Sequence, residues 1–291
     1  MTLMPAALVL PLTLLFQPLF MPAAASVVRE AVDAAGQAPA EQAPTPPDAE
    51  EDEFVPRVGQ EGKDVVWVPT SPELLELMLD MARVGPEDFV MDLGSGDGRN
   101  VIAAAKRGAR GRGVEYNPDM VRLSQRLARE AGVDDRVEFV QGDMYEADVS
   151  EATVLALFLL PSNLERLKDR FLALRPGTRI VLNTFTFNDW EPDEQQRLED
   201  GCVSWCTSLL HIVPARVAGT WRLDDATLEL EQNYQYVKGT LRRGDAAPVP
   251  VTGRLRGAGI TLEIDGRTYE GQVDGNMMAG TVDGASWTAT R

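Results

Sequence analysis

The chain has 291 residues, 44% of them hydrophobic and 25% charged, a globular balance that excludes wholesale disorder. Its 28 basic residues face 45 acidic ones, and the resulting net charge of −17 repels phosphate backbones, which disfavours DNA or RNA as the main partner. With one histidine (His211) and two cysteines (Cys202, Cys206), a His/Cys metal cluster is not expected.

Residues 1–28 carry no charged side chain, are densely apolar from Leu8 to Leu15, and end in Ala23-Ala24-Ala25-Ser26, a pattern suited to a signal peptide or membrane anchor. No Lys or Arg precedes the apolar run, and Pro5, Pro11, Pro18 and Pro22 interrupt it, which argues against a straight membrane-spanning helix. Residues 29–64 read as a disordered linker rich in Ala, Pro and acidic residues; they hold ten acidic and three basic side chains, net −7, which leaves −10 for residues 65–291.

From 65 to 214, helix and strand signals alternate. Ser71-Pro72 opens a helix with Leu74, Leu75, Met78, Leu79 and Met81 on its apolar face, and Gly85-Pro86 stops it. Residues 89–93, 113–115, 137–140, 153–159 and 179–183 read as strands, and helices are expected around 101–104, from Asn117-Pro118 to Leu127, and over 163–174. This rhythm predicts a parallel sheet with helices on both faces. Residues 195–199, Asp200-Gly201 and 202–213 then read as an antiparallel hairpin with a tight turn. Residues four apart on such a strand sit about 13 Å apart, so Cys202 and Cys206 are expected to be buried free thiols. His211, among apolar neighbours, reads as structural.

Residues 215–291 change to an all-β pattern. Asp265-Gly266, Asp274-Gly275 and Asp283-Gly284 recur every nine residues and predict an antiparallel meander or barrel of seven or eight short strands. Gly219-Thr220-Trp221 is similar to the G-x-W of small ligand-binding barrels, and Trp221, Tyr236, Tyr269 and Trp287 are the expected core.

The chemistry concentrates in Asp92-Leu93-Gly94-Ser95-Gly96-Asp97-Gly98, which leaves a buried strand and enters a helix. Glu115 lies at the end of the second strand, where a carboxylate accepts hydrogen bonds from ribose hydroxyls, and Gly142-Asp143-Met144 follows the third, where Asp143 can accept an adenine amino proton and Met144 can pack on the ring. The spacing is G-x-G-x-G rather than the G-x-G-x-x-G of pyrophosphate binders, so an adenosine ligand without phosphates, S-adenosylmethionine (SAM), fits better.

In these motifs the sequence resembles the class I SAM-dependent methyltransferases over residues 65–214. The stretches Val68-Pro69-Thr70-Ser71-Pro72, Leu157-Phe158-Leu159-Leu160-Pro161, Asn183-Thr184-Phe185 and Asp189-Trp190-Glu191-Pro192-Asp193 are similar to small bacterial relatives of mitochondrial protein-lysine methyltransferases. The resemblance implies a Rossmann-like, mostly parallel sheet with a closing antiparallel hairpin, SAM as cofactor, and a lysine of a protein substrate, membrane-associated in those relatives, as acceptor. It implies a SAM site of Thr70, Asp92, Gly94, Ser95, Gly96, Gly98, Glu115, Asp143 and Met144. Phe158 to Pro161 would line the methyl-transfer channel, with Asn183, Asp189 and Trp190 near the arriving acceptor. The chain departs from the group at Phe158, where Tyr is usual, and at Leu182-Asn183, where Ser-His is usual. No residue is assigned as general base. A small-molecule acceptor and a non-catalytic binding role in the cell envelope stay open, since an envelope location conflicts with a donor made in the cytosol.

Overall fold

The computed structural model describes residues 54–199 and 202–291; the expectations for residues 1–28, and for 29–53 of the linker, lie outside the described residues. Helix α1 (Pro72–Met81) starts where the Ser71 side chain accepts a hydrogen bond from the Leu74 N–H at 3.3 Å, with proline in the first turn. Its five expected apolar residues are all buried, against Val90, Val154, Val181 and Leu210 on one face of the sheet.

The sheet consists of β1 (Phe89–Leu93), β2 (Arg110–Glu115), β3 (Val137–Gln141), β4 (Val154–Leu157), β5 (Arg179–Asn183), β6 (Glu194–Arg197) and β7 (Thr207–Ile212), in the order 3-2-1-4-5-7-6. The first five strands in that order are parallel, with Asp92 opposite Gly113, whereas β7 runs antiparallel to β5, with Asn183 opposite Ser208. All four residues of β4 are buried because helices cover both faces: α1 on one, and α4 (Pro161–Leu172) on the other through Leu164, Leu167 and Phe171. Helices α2 (Arg99–Lys106) and α3 (Pro118–Glu130), the latter capped by Asn117, enclose a smaller core around Phe139. The strand order reverses between β1 and β4, and an open α/β sheet holds ligands in the crevice at the carboxyl ends of strands at such a point.

Two local expectations are corrected. The closing hairpin exists, but Arg197 pairs with Thr207, a wider register than a tight turn at Asp200-Gly201 requires, and those two residues lie outside the described ones. Cys202 and Cys206 are joined by a disulfide with their Cα atoms 5.8 Å apart, not free thiols on a strand. The extended spacing fails because β7 begins only at Thr207, and Trp205, in the left-handed region at φ 53°, folds the chain back.

The C-terminal strands close into an eight-stranded antiparallel barrel, β8 (Gly219–Leu223) to β15 (Ala285–Thr290), with β15 pairing back onto β8. Asp265-Gly266 and Asp283-Gly284 make turns with both residues at positive φ, as a two-residue hairpin favours. Asp274, by contrast, is a strand residue paired with Met277, which leaves Gly275 to start that turn. Trp221, Tyr269 and Trp287 are buried in the barrel core, whereas Tyr236 is exposed and gives its hydroxyl proton to Glu191 at 2.8 Å. Trp221 donates to the Val217 carbonyl at 2.8 Å, with the Arg291 guanidinium 4.4 Å from the indole. Among the described residues no helix is long and apolar enough to cross a membrane.

Candidate functional site

A single cleft at the carboxyl ends of β1, β2, β3 and β4 gathers Thr70, Asp92, Gly94, Ser95, Gly96, Glu115, Asp143, Met144 and Phe158 from the expected residues. The turn after β1 is shaped by β2: the N–H groups of Gly94 and Ser95 both donate to the Val114 carbonyl, at 2.8 and 3.1 Å. Glu115 holds the next part, its carboxylate accepting from the Gly96 N–H and the Asn117 N–H at 2.9 Å each. Two fixed backbone donors thus orient this carboxylate at the cleft wall, with one further lone pair on each oxygen. Gly98 stands apart from the cleft. It begins α2 at φ 79°, and a Cβ there would come within 2.6 Å of the Phe139 ring, so its glycine serves helix packing.

Asp92 lies at the floor, buried, and accepts from Asn100 Nδ2 at 3.0 Å. Burial first, and the nearby negative charge of Glu115 second, push its carboxyl up to about 8, against the opposing pull of Asn100. Thr70 is fixed from two sides: Asn183 Nδ2 donates to its hydroxyl at 3.2 Å, and Arg99, paired with Asp97 at 2.5 Å, donates to its carbonyl at 2.9 Å. Asn183 is therefore a buried support behind Thr70 rather than a wall of the cleft.

At the far end from Asp143 the walls become aromatic. Phe158 follows β4 and stacks at 6.0 Å on Phe185, while Trp205 meets Phe158 edge-on at 5.8 Å. Thr184 delivers Phe185 from the left-handed region at φ 59°, a conformation that costs an L-residue roughly 1–2 kcal/mol. This end of the cleft thus presents aromatic, uncharged side chains.

Pro161, Asp189 and Trp190 are held elsewhere. Pro161 occupies the first turn of α4. Asp189 is exposed and takes a 2.6 Å ion pair from Lys168, which holds its carboxyl below the usual range. Trp190 is buried between Phe187 and Tyr234, its ring 5.7 Å from the tyrosine. His211 completes that cluster at 4.9 Å from Trp190, bonded to Thr186 at 2.8 Å, and burial pulls its imidazole down to about 3, so it stays neutral. This cluster joins the sheet to the barrel, where Gln235 also donates to the Glu191 carbonyl at 3.0 Å.

The residues that line the cleft without having been expected there include Lys63, Trp67 and Trp205. Residues 59–67, mostly assigned to the linker by composition, form a strap closed by the Gly59 N–H to Trp67 carbonyl bond at 2.8 Å and its reciprocal partner, Trp67 N–H to Gln60 carbonyl, at 2.9 Å. A Cβ on Gly96 would lie 2.5 Å from the Trp67 indole nitrogen, so the glycine admits the strap's ring as well as any ligand. Lys63 donates to Asp143 at 2.5 Å, which holds the carboxyl below its ordinary value. The one available signal was a tryptophan directly before Val68-Pro69, since an aromatic at the edge of a disordered run rarely stays solvated.

Comparison with known proteins places residues 92–194 in a family model described as the ANTKMT methyltransferase domain. A protein-lysine N-methyltransferase of Saccharolobus islandicus is 41% identical over 140 residues, covering 47% of this chain and 87% of that protein. The mouse adenine nucleotide translocase lysine N-methyltransferase is 36% identical over 130 residues, 44% of this chain and 56% of its own length. The chain thus spans little more than half the length of the mouse enzyme. Among solved structures, an RNA methyltransferase from Salinibacter ruber in complex with S-adenosyl-L-homocysteine (SAH) shows 45% identity over 52% of this chain and 96% of that one, with a TM-score of 0.49.

Proposed function

The chain belongs to the SAM-dependent methyltransferases, in the protein-lysine group, and from that premise we propose that it transfers a methyl group to the side-chain amine of a protein lysine. The observation that carries the cofactor's position is the Glu115 carboxylate, locked by the Gly96 and Asn117 amides at the cleft wall. Its remaining lone pairs accept the ribose hydroxyls, Asp143 accepts from the adenine amino group, and Met144 packs on the ring. Thr70 and the Gly94–Gly96 turn face the amino-acid end.

The donor set fits this group. The amides of Gly94, Ser95, Gly96 and Gly98 all donate to protein acceptors, so the loop is not the outward-facing N–H cradle that a pyrophosphate requires. Asp97 and Asp143 are paired with Arg99 and Lys63, and burial favours the protonated form of Asp92, so the Glu115 carboxylate, held by two backbone amides, is the negative charge that suits a cationic ligand and repels phosphates. SAM, when bound, supplies an activated methyl on a positively charged sulfur.

The remaining work falls to positioning. In-line displacement needs the acceptor amine aligned and unprotonated, and a free lysine titrates near 10.4. The uncharged end formed by Phe158 and Phe185 strips water from the amine and so favours its neutral form. No nucleophilic side chain is required.

The test is to incubate the full chain with methyl-labelled SAM and soluble or membrane protein fractions, beside Glu115→Ala. A protease-sensitive, RNase-resistant label that Glu115→Ala abolishes is the expected result. RNase-sensitive label would favour the activity named for the Salinibacter protein, which the net charge of −17 disfavours here. Label in small molecules alone would replace the protein acceptor.

A further inference from the structure

We propose that Trp205, held by the Cys202–Cys206 disulfide loop, is the outer wall of an aromatic sleeve that receives the acceptor's alkylamine side chain and sets acceptor selectivity. The inference rests on the lysine-acceptor reading above.

Three rings meet at one end of the cleft. Phe158 is shared, stacking on Phe185 at 6.0 Å and taking the edge of Trp205 at 5.8 Å. All three line the same cleft as Thr70 and Glu115, whereas Asp143 and Met144 line it beyond β3, so the rings belong to the end opposite the proposed adenine position. Trp205 is 41% exposed, so it forms the rim rather than the floor. An exposed indole held at a cavity mouth offers a π face to an incoming ammonium and an apolar surface to its methylene stem.

The chain keeps this ring in place by several independent means. The disulfide closes a loop of five residues around it. Cys206 is buried, and its carbonyl accepts from the Leu198 N–H at 2.9 Å. The next residue, Thr207, accepts at its carbonyl from the Thr184 N–H at 2.7 Å, which ties the Trp205 loop to the turn that delivers Phe185. Trp205 and Thr184 both sit in the left-handed region, at φ 53° and 59°. Strained backbone at two neighbouring turns presents a ring from each to one cleft, and Trp205 stays at the surface instead of joining the core.

The sleeve is read with a probe that needs no identified acceptor: an SAH analogue with nitrogen in place of sulfur and an alkylamine arm on that nitrogen. The comparison compound carries a methyl group in place of the arm. Calorimetry on the full chain should show the arm tightening binding to the wild type about tenfold, the range of a partly desolvated cation–π contact. Trp205→Ala should erase that gain and leave the armless affinity within about twofold. Trp205→Phe should keep most of the gain, and the double variant Cys202→Ser/Cys206→Ser should lose part of it. Retention of the full gain by Trp205→Ala overturns the sleeve while leaving the lysine reading intact. Equal weakening of both compounds overturns it in favour of a general structural role. An arm that gains nothing in the wild type defeats the lysine reading, and the sleeve with it.

Discussion

Replacing Glu115 by Gln probes the site at its best-defined point. The carboxylate receives backbone N–H groups from Gly96 and Asn117, one on each oxygen at 2.9 Å, so both oxygens must be acceptors. A glutamine can satisfy only one of these donors; its NH2 group faces the other and has to rotate away. The proposed ribose contacts then lose their charged acceptor, and a hydrogen bond to a charged group is worth about 1.5–3 kcal/mol, roughly a 10- to 150-fold change in Kd. Titration of SAH by calorimetry near pH 7.5, with thermal melting as a folding control, reads this directly. A second consequence is coupled to it: the Glu115 charge helps hold the Asp92 carboxyl up, so the variant lowers Asp92 towards its ordinary range. Unchanged SAH affinity in a folded Glu115→Gln protein would refute the ribose assignment.

Asp92 titrates in the folded chain at about 8 against an ordinary value of 3.8, so between those pH values the folded state holds a proton that the unfolded state has released. Stability of the ligand-free protein should therefore fall as pH rises from about 4 to about 8 and level off above, and Asp92→Asn should flatten that slope in thermal melts; parallel profiles would contradict it. Lys63→Ala frees the Asp143 oxygen that the lysine now occupies. It should tighten SAH binding modestly, with the difference between variant and wild type fading as salt is added; weaker binding would mean that the lysine itself contacts the ligand. Trp221→Ala removes a fully packed ring from the barrel core and should cost about 3–5 kcal/mol in denaturant unfolding. A loss below about 1 kcal/mol would show that the barrel core does not rely on it.

Local chemistry made most of the α/β part legible. Ser71 and Asn117 cap the helices they were expected to open, and the uninterrupted apolar run at β4 announced a strand buried on both faces. Asp92, Glu115 and Asp143 follow from strand ends in a parallel sheet, a geometry that sequence spacing encodes directly. What stayed hidden depends on distant partners. Cys202 and Cys206 looked like strand residues because nothing adjacent reports that β7 starts five residues after the first of them. Asp189 and Trp190 follow β5 as an acceptor loop would, yet Lys168 and Tyr234 draw them to the barrel junction, and neither partner is close in sequence. Residues 59–67 have a linker's composition, and the docking of Trp67 against Gly96 together with the Lys63–Asp143 pair places them over the cleft.

The measurement that bears most directly on the central claim is the chemical identity of the methylated product. Protein labelled by the full chain from methyl-labelled SAM is hydrolysed in acid and its amino acids are separated. Label is expected in Nε-methylated lysine, and none when Glu115→Ala replaces the wild type. Label recovered in any other amino acid, or in nucleosides, would contradict the central claim.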